Sequence, residues 1–424
     1  MTTIRVQQTH HLSGTLQAPG SKSYTHRAII AAALSRGWSE LRNPLICDDT
    51  EATLEACQGL GAGIQKEQNV IRIHGSKLTV PNGPVDCRES GSTLRFLIPV
   101  VALGQGDIYL TGSPGLLARP VGPLVQALEQ LGIKAVAHKG YPPVVIHGDG
   151  RIRGGTVNIV GNVSSQYITG LLLACPCADN FTEINITTPL ESKPYVELTL
   201  DVLQKHQITV DTSSDYRHFK IPCQQQYREY CHVVPGDFSS AAFIMVAAAI
   251  TQSKVLVYNL VKPQPDSAIL KLLKRMNCHV QENDTSVLIQ GKALQRIRFD
   301  AANVPDLVPA CAVAACFAEG ETVIMNAKRL RIKESDRLST LNLVLSEMGA
   351  SITESEDSLH IMGGSQLHGT VVQHHNDHRI AMAAAIAGLN AEGDTVIPNA
   401  ECVNKSYPTF FTDLQKLGAK IVVT

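Results

Sequence analysis

The sequence predicts an α/β protein of two domains, each containing three copies of a β-α-β-α-β-β unit of about seventy residues. Two recurring phrases and one unmatched strand carry this prediction. In the first phrase a helix ends, often at Leu-Gly or Met-Gly, and a strand, a polar turn and a second strand follow. In the second phrase a short strand and a polar loop precede an Ala-rich apolar helix.

Six copies of the first phrase lie at a nearly constant spacing. They occupy residues 59–75, 130–148, 204–222, 275–291, 347–364 and 416–424. The aligned helix ends are Gly61, Gly132, His206, Asn277, Gly349 and Gly418. Gly and Asn are the residues that most readily adopt the left-handed conformation at a helix end. His206 fits this pattern less well than the other five.

The second phrase alternates with the first. Its copies occupy residues 16–34, 86–103, 158–175, 232–250, 299–317 and 371–389. Their helical parts are apolar nearly all round, which is typical of buried helices. We therefore expect six buried helices, three in each domain.

An unmatched strand sets the predicted domain boundaries. The sixth copy ends at Thr424 without its second hairpin strand, while a spare strand lies near residues 3–6. The economical solution is that the N-terminal segment completes the C-terminal unit. One domain then comprises residues 1–18 with 234–424 and the other residues 19–233, with hinge crossings near 18–20 and 233–236.

Composition limits the possible functions. Hydrophobic residues make up 44% of the 424 residues, charged residues 18%, and the net charge is −1, which argues against a nucleic-acid binder. No apolar run reaches membrane-spanning length, and the N-terminus has no signal-peptide core, so we expect a cytoplasmic protein. Eleven cysteines without regular spacing indicate reduced, mostly buried thiols, and core packing explains Cys175 and Cys177 better than a metal or redox pair.

The stretch RLRIKESDR at 329–337 is unusually charged. It places four basic and two acidic side chains just before an apolar helical run. Ser335 or Asp336 is a natural cap for that helix, so the cations gather at its positive end. A bound anion would explain this placement, and a solvated charged turn is the alternative interpretation.

Polar loops precede all six predicted buried helices. If the three helices of a domain point the same way, their N-termini converge on one face that suits phosphate or carboxylate. The cations in or beside these loops are Lys22, Arg27, Arg95, Arg119, Lys333, Arg337, Arg379 and Lys405. Two such faces across a hinge make a cleft that closes on a small, multiply charged anion.

Simpler interpretations remain for single residues. Ser164, Asp237 and Asp306 are candidate helix caps, and Glu334 is a candidate ion-pair partner of Lys333 or Arg337. The histidines at 374, 375 and 378 suggest a metal site only weakly, because adjacent residues of an extended stretch point to opposite faces. We therefore predict no metal site. GSKS at 20–23 is not a Walker loop, because the leading glycine is absent.

Taken together, these motifs resemble those of the 5-enolpyruvylshikimate-3-phosphate synthases over essentially the whole chain. The matching motifs are PGSKS (19–23) with Arg27, RPVG (119–122), SSQ (164–166), SKPY (192–195), GDFSS (236–240), PD (305–306), RIKESDR (331–337), NDHR (376–379) and Lys405. The resemblance implies a two-domain inverted α/β barrel. It also implies transfer of the carboxyvinyl group from phosphoenolpyruvate to the 5-hydroxyl of shikimate 3-phosphate, without metal or organic cofactor. Separately, we expect the protein to be a monomer.

The resemblance also implies roles for individual residues. The catalytic residues would be Asp306, Glu334 and Lys22. Shikimate 3-phosphate would be bound by Lys22, Ser23, Arg27, Ser164, Ser165, Gln166, Ser192, Asp306 and Lys333. Phosphoenolpyruvate would be bound by Lys22, Gly91, Arg119, Gln166, Arg337, Arg379 and Lys405.

Two positions depart from the family pattern, and two rival functions fit the sequence less well. The family's usual Asn-Ala-Gly-Thr loop is ESGS at 89–92, which puts the Glu89 carboxylate near the expected anion, and a position that is often Asn is Arg329. The related UDP-N-acetylglucosamine enolpyruvyl transferases would need a reactive cysteine near residue 119, where this chain has Arg119. A non-catalytic repeat scaffold would have no reason to place Asp306 and Glu334 among cations.

Overall fold

The computed structural model describes residues 2–423, and the chain divides into two compact units. Unit 1 comprises Met1–Pro19 and Pro235–Thr424, and unit 2 comprises Gly20–Val234. Each unit has its own hydrophobic core. The chain therefore passes from one unit to the other twice, between Pro19 and Gly20 and between Val234 and Pro235.

The helices and strands alternate along the chain. The helices are α1 (Lys22–Leu34), α2 (Asp48–Gly59), α3 (Gly91–Val100), α4 (Pro114–Leu117), α5 (Gly122–Gln130), α6 (Ser165–Ala174), α7 (Lys193–Lys205), α8 (Phe238–Ile250), α9 (Ile269–Arg275), α10 (Val308–Cys316), α11 (Arg337–Glu347), α12 (His378–Gly388) and α13 (Phe410–Lys416). The strands are β1 (Ile4–Val6), β2 (Ser13–Gln17), β3 (Gly37–Arg42), β4 (Gly63–Glu67), β5 (Val70–Gly75), β6 (Val85–Asp86), β7 (Gln105–Thr111), β8 (Lys134–His138), β9 (Tyr141–Asp149), β10 (Gly155–Ile159), β11 (Thr182–Ile186), β12 (Asp211–Thr212), β13 (His218–Ile221), β14 (Cys231–Val233), β15 (Lys254–Tyr258), β16 (His279–Glu282), β17 (Ser286–Gln290), β18 (Leu294–Gln295), β19 (Arg298–Asp300), β20 (Ala318–Glu319), β21 (Glu321–Met325), β22 (Ser351–Glu354), β23 (Leu359–Met362), β24 (Thr395–Ile397) and β25 (Ile421–Val423).

In unit 2, three four-stranded sheets share one pairing pattern. Their strand orders are β14-β3-β5-β4, β6-β7-β9-β8 and β10-β11-β13-β12. In each sheet the first pair is parallel and the other two pairs are antiparallel. The parallel pair brings together strands on either side of a buried helix in two of these sheets, as a crossover connection requires.

Unit 1 contains two sheets with the same pattern, β2-β15-β17-β16 and β19-β21-β23-β22, together with the short pair β18-β20. A further sheet has the order β24-β1-β25, and both of its pairs are antiparallel. The N-terminal strand β1 therefore lies between two C-terminal strands, with Ile4 opposite both Ile397 and Val423. This is the pairing that the spare N-terminal strand predicted.

The six Ala-rich segments form the buried helices α1, α3, α6, α8, α10 and α12, which confirms this prediction. Every residue of α8 is buried. Alanine suits these positions because its small side chain lets helices and sheets approach closely without losing rotamer freedom. Five of the six helices begin at a Ser or Asp whose side chain accepts a hydrogen bond from a backbone N–H of the first turn.

The third aligned helix end required a correction. Asn277 and the four aligned glycines all have positive φ, but His206 has φ −86° and its neighbour Gln207 has φ 60°. The left-handed residue of this copy is therefore Gln207. His206 ends α7 as a buried side chain instead of forming the turn.

Among residues 2–423, no helix has both the length and the apolar character needed to span a membrane.

Candidate active site

Arg337 is the centre of a buried ionic network in unit 1. It is the first residue of α11, which is capped by Asp336, and its side chain is 1% exposed. Its Nε lies 2.8 Å from Asp377 Oδ2, and its Nη2 lies 2.6 Å from Glu334 Oε2. Its Nη1 lies 3.2 Å from Asp306 Oδ1. Three carboxylates therefore surround one guanidinium, and their charges raise its pKa above the ordinary value although burial acts in the opposite direction.

Asp306 connects this network to two further cations. Its Oδ2 accepts a hydrogen bond from Arg379 Nη2 at 3.2 Å, and Lys333 Nζ lies 3.6 Å from its Oδ1. Burial raises the pKa of Asp306, but Arg379, Lys333 and Arg337 together lower it far below its usual range. Burial and the neighbouring Arg337 lower the pKa of Lys333, and Asp306 offsets part of that effect. We call Asp306, Lys333, Glu334, Arg337, Asp377 and Arg379 the α11 cluster.

Asp377 is the residue of this cluster that the sequence interpretation left without a role. It is fully buried and caps α12, with Oδ1 accepting from the Arg379 backbone N–H at 2.9 Å. The same carboxylate holds the Arg337 side chain, so one aspartate fixes both that guanidinium and the first turn of α12. Its sequence signals were its place in the NDHR motif and its position before an Ala-rich helix. Beside it, Lys405 Nζ donates to the Asn376 carbonyl at 2.8 Å.

Arg27 in unit 2 is buried among uncharged groups. Its Nε donates to Thr199 Oγ1 at 2.8 Å, and its Nη2 donates to the Tyr195 carbonyl at 3.0 Å and to Thr169 Oγ1 at 3.3 Å. Its Nη1 donates to the Ser23 carbonyl at 2.7 Å, and the guanidinium lies over the Phe96 ring. Among the described residues no carboxylate pairs with it, and burial lowers its pKa to about 9.

Lys22 begins α1, and its Nζ lies 2.7 Å from Asp49 Oδ2. Ser23 follows in the same helical turn and contributes the carbonyl that Arg27 contacts. We call Lys22, Ser23, Arg27, Asp49, Thr169, Tyr195 and Thr199 the α1 cluster. Asp49 was not predicted as a site residue, and its position in a Cys-Asp-Asp sequence at the start of α2 was no special signal.

A third group forms around Gly91, the first residue of α3. A Cβ at this position would come 3.1 Å from Arg119 Nη1 and 3.2 Å from Arg95 Nη1, so the missing side chain leaves room for two guanidinium groups. Gln166 joins them, because its Oε1 accepts from Arg95 Nη1 at 2.7 Å and its Nε2 donates to Ser92 at 2.9 Å. We call these five residues the α3 cluster.

The remaining predicted residues have simpler local roles. Ser164 caps α6, accepting from the Gln166 N–H at 3.3 Å, and Ser165 is the buried first residue of that helix. Ser192 precedes α7 with φ 53°. Asp237 caps α8, as predicted by the cap interpretation. Asp306 does not cap a helix, because Val304 precedes its turn and its side chain faces cations instead.

The structure also shows the surroundings of the two residues that depart from the family pattern, Glu89 and Arg329. The Glu89 carboxylate packs over Gly115, where a Cβ would come 2.8 Å from Oε2. Arg329 is nearly buried and donates to the Ala302 carbonyl at 2.7 Å. Among residues 2–423 there is no group of three His, Cys, Asp or Glu side chains arranged to hold a metal ion.

The predicted residues therefore gather within each unit. Asp306, Lys333, Glu334, Arg337 and Arg379 meet in unit 1. In unit 2, Gly91, Arg119 and Gln166 meet in the α3 cluster, and Lys22 and Ser23 share a helical turn. Each unit thus carries buried cations within the first two turns of its helices, which is an arrangement suited to small anions.

Comparison with known proteins identifies the chain. The family described as EPSP synthase (3-phosphoshikimate 1-carboxyvinyltransferase) matches residues 6–414. The 3-phosphoshikimate 1-carboxyvinyltransferase of Methanocella arvoryzae is 44% identical over 97% of both chains, and that of Methanococcoides burtonii is 43% identical over the same shares. The structure of EPSP synthase from Acinetobacter baumannii superposes with a TM-score of 0.85 over the full length of both chains, at 28% identity.

The fold and the site therefore define an enzyme of the carboxyvinyl transferase class. Its α/β fold is that of the known EPSP synthase structures. The chain belongs to the EPSP synthase family. This makes it a transferase of the shikimate pathway, which supplies the aromatic amino acids.

Proposed function

We propose that this enzyme transfers the carboxyvinyl group of phosphoenolpyruvate to the 5-hydroxyl of shikimate 3-phosphate. The oxygen of that hydroxyl adds to C2 of phosphoenolpyruvate while C3 gains a proton, giving a tetrahedral adduct. The C2–O bond to phosphate then breaks, and C3 loses a proton to restore the double bond. The products are 5-enolpyruvylshikimate 3-phosphate and inorganic phosphate.

The observation that carries this proposal is the presence of two carboxylates within a set of buried cations. Addition needs a base for the hydroxyl and an acid for the methylene carbon, and we assign these roles to Asp306 and Glu334. Both contact Arg337. Lys22 would stand near the reacting groups, and the cations would stabilise the phosphate charge as the adduct forms and collapses.

The low pKa of Asp306 fits the role of a base that is activated on binding. Arg379, Lys333 and Arg337 keep its carboxylate ionised in the structure. When a substrate anion takes over Arg337 and Arg379, Asp306 loses part of this attraction and becomes a stronger base. Binding and proton transfer would thereby be coupled through the same arginines.

We assign shikimate 3-phosphate to Ser23, Arg27, Ser164, Ser165, Gln166, Ser192 and Lys333, with Lys22 and Asp306 shared with the chemistry. Arg27 supports this assignment, because its buried guanidinium has only uncharged partners and a carboxylate of the ligand would stabilise its charge. We assign phosphoenolpyruvate to Gly91, Arg119, Arg337, Arg379 and Lys405, with Lys22 and Gln166 shared between both substrates. Guanidinium groups match carboxylate and phosphate oxygens in pairs, which supports this choice.

The same proposal includes the architecture. We infer that the sheets represent six copies of one β-α-β-α-β-β unit in an inverted α/β barrel, with the chain crossings at Pro19 and Pro235 acting as a hinge. Mutual repulsion among cations of the two units would favour an open form, and a bound substrate pair would close it. Small-angle scattering with and without saturating shikimate 3-phosphate plus an inhibitor tests closure, since an unchanged radius of gyration would contradict it.

A two-acceptor assay tests the reaction. We expect phosphate release from phosphoenolpyruvate with shikimate 3-phosphate, and none with UDP-N-acetylglucosamine. Release with only the nucleotide sugar would support the rival transferase, and release with neither would support a scaffold. We also expect full activity in EDTA, because Lys and Arg side chains already match the charges of the substrate anions. We expect the active species to be a monomer. Activity that is lost in EDTA and restored by a divalent ion would refute the metal-free mechanism.

A further inference from the structure

His206 is the helix end that did not fit the repeat, and its side chain belongs to a buried chain of hydrogen bonds in unit 2. Its Nδ1 lies 2.6 Å from the Arg228 carbonyl oxygen, and its Nε2 lies 2.9 Å from His232 Nε2. His232 Nδ1 lies 3.0 Å from the hydroxyl of Tyr24. Lys205 Nζ, at the end of α7, lies 3.0 Å from the same hydroxyl. Both imidazoles are fully buried.

Only one arrangement of protons satisfies this chain. A carbonyl oxygen can only accept, so His206 must donate from Nδ1, and its neutral ring then accepts at Nε2. His232 must therefore donate from Nε2 and accept at Nδ1, which makes the Tyr24 hydroxyl a donor. The Tyr24 oxygen in turn accepts from Lys205. With the other hydrogens in place, an added proton on His206 Nε2 would put two hydrogens between the imidazoles, and one on His232 Nδ1 would force the Tyr24 hydroxyl to turn its hydrogen away.

The surroundings favour this neutral state. Burial lowers the pKa of His206 to about 4, and burial together with His206 and Lys205 lowers that of His232 to about 3. The ring of Tyr230 packs against His232 with centroids 4.8 Å apart. At the outer end, Lys205 is held by Asp201 at 2.7 Å, and its side chain is 32% exposed.

This chain of hydrogen bonds joins three segments that otherwise have separate roles. Tyr24 lies in the first turn of α1, directly after Lys22 and Ser23. Lys205 and His206 end α7, the helix whose residues Tyr195 and Thr199 hold Arg27. His232 lies in β14, the strand that precedes the crossing at Val234.

We propose that Tyr24, His232, His206 and Lys205 are positioning residues for the reaction, because they hold the first turn of α1, and with it Lys22 and Ser23, in register with α7. This inference rests on the proposed function, since it assumes that α1 and α7 bind the acceptor. None of the four side chains needs to touch a substrate. Loss of these hydrogen bonds would let the first turn of α1 shift, and small displacements of catalytic groups reduce rates strongly.

Tyr24→Phe is the main test, because it removes the shared hydroxyl and keeps the ring. We expect kcat/KM for shikimate 3-phosphate to fall by roughly 3–10-fold, the equivalent of one buried hydrogen bond. Tyr227→Phe is the matched control, since its hydroxyl donates to the Leu173 carbonyl at 2.7 Å in the same core but lies outside the chain. Tyr227→Phe should lower the melting temperature about as much as Tyr24→Phe does, and it should leave kcat/KM within about twofold of that of the unaltered enzyme.

Two further measurements keep the test informative if Tyr24→Phe folds poorly. Lys205→Met alters only the half-exposed end of the chain, and we expect a smaller fall of kcat/KM in the same direction. Histidine nitrogen NMR of the unaltered enzyme should show His206 protonated at Nδ1 and His232 at Nε2. An inactive unaltered enzyme would refute the proposed function. Equal kcat/KM in the Tyr24 and Tyr227 variants, or other tautomers, would refute the positioning role in an active enzyme.

Discussion

Arg27 and Arg337 are both almost completely buried, but Arg27 has uncharged partners in unit 2 whereas Arg337 has carboxylate partners in unit 1. Arg27 is 2% exposed and contacts hydroxyls and carbonyls, and burial lowers its pKa to about 9. Arg337 is 1% exposed and contacts three carboxylates, which raise its pKa. The α1 cluster therefore contains a charge that an incoming anion would complete. The α11 cluster contains charges that already compensate one another and must rearrange when an anion binds.

This difference suggests a division of labour between the clusters. A guanidinium without a counter-ion gains most from ligand binding, because its burial cost has already been met within the fold. A guanidinium held by carboxylates gains less, but its displacement changes the basicity of those carboxylates. We therefore expect substitution of Arg27 to affect mainly binding, and substitution of Arg337 or of its carboxylate partners to affect mainly turnover and stability.

The largest effect should come from the carboxylates of the α11 cluster. Asp306→Asn and Glu334→Gln keep the shape of each side chain but remove proton transfer. We expect each to reduce kcat by about 10²–10⁴-fold, the usual contribution of a general acid or base, with a much smaller change in acceptor binding. Steady-state kinetics and calorimetry would measure the two quantities.

Glu354→Gln is the matched control for these two variants. Glu354 also pairs with an arginine, Arg331, in the same region of unit 1, but it lies outside the α11 cluster. It should keep near-normal turnover. If Asp306→Asn and Glu334→Gln do so too, or if both simply unfold, these carboxylates have a structural role only.

The next effect compares the two arginines directly through stability. Arg337→Met leaves Asp306, Glu334 and Asp377 without their shared cation, and we expect a loss of about 3–5 kcal/mol in the free energy of unfolding. Arg27→Met removes a buried charge that has no carboxylate partner, so stability should be unchanged or higher. Urea unfolding monitored by circular dichroism would measure both. Equal losses would show that the two environments do not differ in the way described.

Arg27→Met should nevertheless impair binding. A charge-assisted hydrogen bond is worth about 1.5–3 kcal/mol, so we expect the affinity for shikimate 3-phosphate to fall roughly 10–100-fold. Titration calorimetry of the acceptor alone measures this change. Arg42→Met provides a control, since that exposed arginine in the same unit pairs with Glu40. An affinity unchanged in both variants would remove Arg27 from the acceptor site.

The smallest effect is the loss of stability in mild acid, which should differ between the two units because their buried titrating groups differ. His206 and His232 have lowered pKa values in the fold, so the unfolded chain binds protons first as the pH falls below about 6.5. Their contribution to stability is complete above that pH and is lost as the pH falls towards 4 and then 3. The groups facing them are Tyr24, Tyr227, Tyr230, Lys205 with Asp201, and the Arg228 carbonyl.

The Asp306 carboxylate stays ionised at these pH values, because Arg379, Lys333 and Arg337 lower its pKa. Each of the two histidines should cost unit 2 on the order of 1 kcal/mol per pH unit below 6.5, with a smaller loss around α11. Hydrogen exchange at pH 7 and pH 5, compared by unit, measures this. A His206→Gln variant should lose part of the pH dependence. Earlier loss of protection around α11 than around α1 would contradict the comparison.

Part of this protein was determined by the sequence itself. Period and apolarity were enough to predict the six buried helices and the pairing of the N-terminal strand with the C-terminal ones, because burial and strand alternation leave a local pattern in the chain. The spacing of RIKESDR before an apolar run was enough to predict that α11 begins beside Asp336. The whole-length motifs were enough to predict the family.

Only the tertiary structure decided which charges meet. Asp377 and Arg337 are forty residues apart, and no local pattern distinguishes an ordinary helix cap from a cap that also holds a distant arginine. Likewise, Arg27 and Arg337 both precede or begin apolar helical sequence, but their partners come from distant elements: threonines for one and carboxylates for the other. The His206 misalignment has the same origin, because the buried His206 takes the helix-end position that Leu60, Leu131 and Met276 take in other copies. Only the structure shows that Gln207 is the left-handed residue that follows it. Periodicity is a property of neighbours along the chain, whereas ionisation and hydrogen bonding depend on neighbours in space.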